Sequence, residues 1–424
     1  MMRTSAILER LPAFQSADYR RLFVSFFFAS ASRWALILGQ SWLVFDISDS
    51  SFAVGIVFFA GAVQFVVVGP FAGAIADRID RRRLAIGALM LSVASSITLA
   101  AITLAGMVEV WHVVVLAVVQ GWAQAAAMPA QRALLANLVP REHLMNAVAL
   151  GGITVHGSRI AGPLFGGVLL ATFGAGWVFV LSAVLLLLAL ALLIRIEYRS
   201  EPVDGPAGVR GMLTDVGQGF GYAWTDRRLR LVIGLIIFHC SFTMAFNALL
   251  PRLATNLGGG SVMFSALVMG VGAGAILGTL AISVVRDQAR QGSALAIVGV
   301  GSGVAMLVMG MATSPAMAVA GAVLAGGTQA TYMAISQMLV QEIVADALRG
   351  RVMAIYAMMA AGHMALINLG FGALADRVGV RPLMVVPALL WVGIFLVAAF
   401  LLSDMRNVLH CGKFRVRSAA EVGS

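Results

Sequence analysis

The stretch Gly73-Ala74-Ile75-Ala76-Asp77-Arg78-Ile79-Asp80-Arg81-Arg82-Arg83 ends in seven residues of which six are charged. The chain on either side, 52–76 and 84–106, carries no charge at all. A helix crossing a bilayer needs about 20 apolar residues. A charged knot between two uncharged runs of that length therefore predicts a loop joining two spanning helices.

The rest of the chain repeats the pattern. Its 424 residues are 60% hydrophobic and 11% charged, with a mean hydropathy of +0.95. A soluble domain has roughly 45–50% apolar and about 25% charged residues, so a soluble enzyme is excluded and the excess must face lipid. Apolar runs fall near 20–45, 52–76, 84–106, 111–136, 146–171 and 175–196, then near 230–253, 261–284, 293–313, 316–342, 351–375 and 382–403. These are read as twelve spans. The 46 glycines suit them, because small residues let membrane helices approach closely. The domain plan is a cytoplasmic N-terminus 1–19, a six-helix bundle 20–197, a linker 198–229, a second six-helix bundle 230–403 and a tail 404–424. In the linker, Leu213, Val216, Phe220 and Trp224 recur at helical spacing, which predicts a short amphipathic helix on the membrane surface.

Charge sets the orientation. With the N-terminus inside, cytoplasmic segments hold 24 of the 29 cations, as the bias of positive charge to that side requires. Both termini are expected in the cytoplasm. The arginines lie in short clusters between apolar runs, which argues against nucleic-acid binding. Cys240 and Cys411 suggest no disulfide framework, and Met1 to Tyr19 does not read as a cleavable signal peptide.

The two halves resemble each other at an offset of 205 residues. That shift pairs Gly69 with Gly274, Gly73 with Gly278, Gly121 with Gly326, Gln124 with Gln329 and Gly167 with Gly372. One offset holding from the second span to the fifth predicts two pseudo-symmetric halves, an architecture used by alternating-access transporters.

The opening stretch resembles the loop 2–3 motif of the major facilitator superfamily, a glycine followed by apolar residues, Asp-Arg and a basic run. The resemblance implies that Gly73 permits close helix contact and that Asp77 faces the start of the eleventh span near Arg349, Gly350 and Arg351, where a helix dipole favours negative charge. It also implies that Arg78, Arg81 and Arg82 latch onto acidic groups of a neighbouring loop, Glu142 among them. Ordinary positive-inside charge is the plainer explanation of the cluster. A second Asp-Arg copy, Asp376-Arg377, lies between the last two spans, on the outer side, and is read as an ion pair helping to close it. Further segments, Pro129 to Leu135, Leu138 to Glu142, Asn146 to Val148, Arg159 to Pro163 and Leu348 to Met353, are similar to the exporter branch that includes siderophore, drug and macrolide efflux proteins. Ala117 departs from that pattern. Many proton antiporters of the superfamily carry arginine there, three residues before a Gln-Gly pair.

Polar groups at membrane depth are functional candidates by default. Counting from Arg21 at about 1.5 Å per residue puts Arg33 roughly 18 Å in, near the middle of a core about 30 Å thick. Arg159 is similarly central, with His156 one turn before it on nearly the same face. His239 and His363 also lie at depth, with Gln64, Gln120, Gln124 and Gln329. No Asp or Glu falls there by this count, so the two arginines favour an anionic substrate. Alternatively, they pin helices structurally by bonding carbonyls or glutamines. Protons are the expected coupling ion, with the histidines or Asp46 as carriers.

Rival classes fare worse. An ATP-driven pump needs a Gly-Lys-Ser/Thr loop, and Lys413, the only lysine, precedes Phe414. A membrane-embedded enzyme would want clustered catalytic groups, and the histidines sit on separate spans. A transporter-like receptor often carries a long soluble appendage, and the tail is short. The expectation is an all-α integral membrane protein with twelve transmembrane helices in two pseudo-symmetric six-helix halves, the major facilitator fold. It would be a monomer in a bacterial inner membrane, exporting a small, siderophore-like anion. A broad-specificity drug or macrolide efflux pump is the alternative. No catalytic residue, metal or cofactor is expected, and the partners are a small-molecule substrate, the lipid bilayer and protons.

Overall fold

The computed structural model describes residues 12–69, 79–198, 209–285, 287–345 and 348–414, and every element among them is helical. Ten of the described helices are long and apolar enough to cross a membrane.

The first helix, α1 (Ala17–Ser48), begins where the Ser16 hydroxyl accepts the Tyr19 N–H and ends at Asp49 in the left-handed region, φ 48°. Helix α2 (Ser51–Val67) starts from a Ser50 cap and has a turn at Val63. In α3 (Arg81–Leu104) the cap is Asp80, whose carboxylate accepts the Arg83 N–H at 2.8 Å. Within the charged knot, Asp80 thus has a local task, starting a helix. Three arginines in a first turn oppose the helix dipole, so sidedness in the membrane rather than helix stability accounts for them. There follow α4 (Val110–Asn137), α5 (Leu144–Phe173) and α6 (Ala175–Ile194).

The linker forms a helix as its spacing predicts, α7 (Val209–Thr225). Among its described side chains and glycines, Gly219 and Ala223 are buried, while Trp224 is exposed. The next span differs from its expected continuous form. Helix α8 (Arg227–His239) passes into a π-helical turn at Cys240–Met244, unwinds at 245–246, makes a 3-10 turn at Asn247–Leu249 and resumes as α9 (Leu250–Asn256). Local chemistry explains the break. The Thr243 hydroxyl bonds back to the His239 carbonyl at 2.8 Å, and Pro251, lacking an N–H, sits in the first turn of the resumed helix, where proline is tolerated. Then come α10 (Gly260–Ser283), α11 (Gln288–Gly310), α12 (Pro315–Ile343), α13 (Arg349–Val378) and α14 (Val380–Leu401). A final α15 (Ser403–Cys411) occupies part of what the sequence left as a plain tail.

Contacts divide the chain into two compact units. The first is Met1–Thr214 with Ala248–Met269; the second is Asp215–Asn247 with Gly270–Ser424. In the first, α1 packs on α5 and α6, α3 on α4 and α6, and α2 on α4. In the second, α11 packs on α12 and α14, and α8 lies against α12 and α13. One pair of glycines matched by the 205-residue offset, Gly121 and Gly326, stands at close helix crossings in both units. A Cβ at Gly121 would meet the Gly61 carbonyl of α2, and a Cβ at Gly326 would meet the Val271 carbonyl of α10. In both places backbone lies on backbone because no side chain intervenes.

Candidate functional site: arginines and glutamines of the first unit, a histidine box in the second

Arg33 and Arg159 sit in the first unit, on α1 and α5. The Arg33 guanidinium lies 5.5 Å from the centre of the Phe65 ring. Arg159 lies 4.6 Å from that of Trp34. The second stacking follows from how closely the helices approach. One turn past Arg159, a Cβ at Gly162 would strike the Ala31 carbonyl and Trp34, and the Ser30 and Ser158 hydroxyls touch at 2.6 Å. Neither arginine has a carboxylate partner among the described residues; cation–π contact takes its place. Arg33 is exposed on the bundle surface. A charge at that depth is costly against lipid, so this face of α1 suits a watered path.

Three glutamines gather on the neighbouring helices. The Gln40 amide donates to Gln120 Oε1 at 3.1 Å, and Gln64 donates to the Ala60 carbonyl at 3.2 Å with its side chain against Gly121. Gln124, one turn beyond Gln120, is half-buried. His156 is a helical residue of α5, but its side chain lies outside what the structure describes.

In the second unit His239 is fully buried. Its ring stacks on Tyr332 with centroids 4.1 Å apart and meets Trp391 edge-on at 4.9 Å. Gln329 donates to the Thr243 carbonyl at 2.6 Å, so it ties α12 to the break after α8. His363, on α13, shares a 2.8 Å hydrogen bond with the Met359 carbonyl. Each of these polar groups thus has a local setting, and the two sets belong to different units.

The expected gating residues fall in both units. Gly73, Asp77 and Arg78 lie outside the described residues. Arg82 donates to the Ile194 carbonyl at 2.5 Å, so it caps the end of α6, and the ion contact given for Glu142 is His143 at 3.8 Å. Arg81 sits in the first turn of α3. Arg349 opens α13, and Arg351 binds Gln218 of α7 at 2.9 Å. Asp376 and Arg377 are exposed in the last turn of α13.

The sequence did not show several partners. Nothing in the spacing joins Trp34 to Arg159, Phe65 to Arg33, or Tyr332 and Trp391 to His239. Nor does it pair Arg252 with Asp49, whose carboxylate lies 2.7 Å away while the same guanidinium covers Phe45 at 4.8 Å. All three of these residues belong to the first unit. An open cavity of about 650 Å³ at the C-terminal end of α1 and the N-terminal ends of α2 and α4, lined by Ile47, Ile56, Glu109 and Trp111, involves none of the expected site residues.

Among the described residues, ten long apolar helices and backbone crossings at glycine define a multi-pass membrane protein. The chain belongs to the transmembrane secretion effector family, whose model matches residues 10–415, within the exporter branch of the major facilitator superfamily. It is similar to the multidrug efflux pump Tap of Mycolicibacterium fortuitum, 26% identical over 385 residues covering 88% of this chain and 93% of the pump. It resembles the enterobactin exporter EntS of Escherichia coli, 26% identical over 355 residues, 82% of this chain and 81% of the exporter. The staphyloferrin A transporter of Staphylococcus aureus is 25% identical over 264 residues, 61% of this chain and 65% of that protein. The match to a further relative, an uncharacterized transporter of Bacillus subtilis, spans half of each chain. Among solved structures, a POT family transporter complexed with 5-aminolevulinic acid shares the fold with a TM-score of 0.72 at 13% identity, covering 91% of this chain and 96% of that one.

Proposed function

We propose that the protein is a secondary transporter exporting a small, anionic, siderophore-like molecule across a bacterial inner membrane by alternating access, driven by the proton gradient. The observation that carries this reading is the pair Arg33 and Arg159. Two guanidinium groups rest on aromatic rings, in runs the sequence places within the membrane, and neither has a carboxylate partner among the described residues. An unpaired cation in a membrane interior is stabilised by whatever anion can reach it. Gln64, Gln120 and Gln124, with His156, would shape the site in the first unit. His239, Gln329 and His363 would contribute from the second. Relatives named as an enterobactin exporter and a staphyloferrin A transporter support the substrate class. The arrangement proposed is twelve spans in two six-helix bundles, both termini cytoplasmic, with the chain acting as a monomer. Asp77 and the arginines after it would close the cytoplasmic side, and Asp376 with Arg377 would help to close the outer side.

The similarity to Tap over most of both chains favours a second reading, broad-specificity drug efflux. One experiment separates them. Inverted membrane vesicles containing the protein are energised by an imposed pH gradient, and uptake of a catecholate siderophore is compared with uptake of a cationic dye. Anion export predicts gradient-dependent siderophore uptake that falls about ten- to a hundredfold in Arg33→Gln/Arg159→Gln, the scale of losing a charged hydrogen-bonding partner. Dye uptake indifferent to both substitutions would reject the anion site and leave the drug pump.

A further inference from the structure

His239 has a setting that packing alone does not explain. Its ring is fully buried, and among the described residues neither ring nitrogen has a hydrogen-bond partner. A buried polar group without partners costs stability, so a phenyl ring would fill this box better. The box is aromatic, with Tyr332 stacked at an interplanar angle of 18° and Trp391 edge-on at 73°. The titratable groups nearby are Cys240 next in the chain, Tyr332 on α12 and Tyr356 on α13. The Tyr356 hydroxyl is engaged by Ser336 at 2.6 Å. From α14 come Trp391 and Phe395, which do not titrate, and the π turn adds only Cys240. Among the described residues no carboxylate, arginine or lysine stands in this group.

The ring also sits at a hinge. Helix α8 ends at His239 and the next five residues are π-helical. Side-chain hydrogen bonds span this stretch: the Thr243 hydroxyl to the His239 carbonyl, the Gln329 amide to the Thr243 carbonyl and the Asn247 amide to the Met244 carbonyl, with the Cys240 thiol against Met244 and Met333 sulfur. π turns and short breaks inside helices are recurrent at moving and binding sites.

We propose that His239 is a proton-operated switch on this broken helix. The neutral ring is enclosed in its box and the break is held shut. A proton taken from water onto a ring nitrogen makes a cation with no counter-charge in reach, and burial disfavours that species more than the aromatic faces can offset. The charged ring leaves the box and the break opens; returning the proton to water lets it close. Histidine is the side chain suited to this near neutral pH. The switch rests on the transporter reading only for its purpose, letting a proton gradient act on the second unit.

Cys240, 2% exposed and first in the π turn, reports the opening. In a Cys411→Ser background reconstituted in lipid nanodiscs, its alkylation by N-ethylmaleimide is timed from pH 8 to pH 5. Each rate is divided by the rate of the same thiol in His239→Phe, which fills the box and cannot titrate, so thiolate chemistry cancels. The ratio is expected to rise about tenfold for each pH unit lowered while the protonated form is scarce, because that form grows tenfold per unit. A ratio independent of pH would overturn the switch. His239→Gln repeats the comparison should the phenylalanine variant elute as aggregate on size exclusion. Labelling needs no substrate, so a pH-dependent ratio in a protein that transports neither siderophore nor dye would sink the transport reading alone.

Discussion

At the scale of single residues, what decides the chemistry is how each charge is accommodated. Arg159 lies over Trp34, and that contact fixes where its donors point. Trp34→Leu removes it. The expected outcome is a KM for the transported anion raised from a few-fold to about thirtyfold, the range of a cation–π contact, with the rate at saturation little changed. Trp34→Phe should retain most of the affinity in the same vesicle assay. Asp226 makes a different case, outside the membrane spans. It caps α8 by accepting the Arg228 N–H at 2.8 Å, and the Arg228 guanidinium grips the same carboxylate at 3.0 Å. Burial works to raise its pKa, but the bonds and charge of Arg228 outweigh that and hold the carboxyl below its usual range. A lowered folded value means stability that is present above about pH 4, where the unfolded group ionises, and that is lost as pH falls through the folded value. Asp226→Ala should cost about 1–2 kcal/mol at pH 7, read as a lower thermal midpoint in detergent. The difference from wild type should shrink on acidification. Arg33 and Arg159 stand out in the sequence as charges inside apolar runs, whether they meet a substrate or pin helices. Their aromatic platforms do not, because apolar residues are everywhere and only the fold selects which one faces a guanidinium.

At the scale of elements, the spans were read from long apolar runs with few charges, and ten of the described helices are long and apolar enough to cross a membrane. Their caps could be read too, since Ser16, Ser50, Asp80, Asp226 and Ser314 each precede a helix and bond its first turn. The break after α8 escaped notice. Its residues, Cys240 to Phe246, are as apolar as any span, and what opens the helix is a threonine bonding backward and a glutamine from another helix. Hydropathy carries no trace of either. The glycine offset fared better, because Gly121 and Gly326 both stand where one backbone lies on another. Gly326→Ala should therefore force α10 and α12 apart at an expense of about 1–3 kcal/mol. Gly350→Ala, with nothing near its would-be side chain, should leave the melting profile unchanged.

At the scale of the molecule, sidedness can be tested with the native cysteines. Cys411 is exposed and Cys240 buried. A membrane-impermeant maleimide added to intact cells should leave the protein unlabelled, whereas inverted vesicles should be labelled at Cys411. Labelling of intact cells would reverse the proposed orientation. The sequence plan cut the chain once, between bundles; contacts cut it three times. The segment 248–269 is encoded beyond the linker, yet it packs in the first unit, with Arg252 bonded to Asp49 and Trp42 stacked on Phe264 at 5.8 Å. An offset that matches glycines cannot reveal such a loan, since the arginine, the aspartate and the tryptophan making it have no like residue at the matched positions.

That loan has a bearing on how the protein is made. A ribosome delivers residues in order, and the first unit stays unfinished when the first bundle has been inserted. Asp49 and Trp42 then wait at the membrane surface until translation has passed Met269. A nascent chain stalled between Thr214 and Ala248 holds an incomplete unit, and quality-control proteases should remove it sooner than one stalled a few residues past Met269.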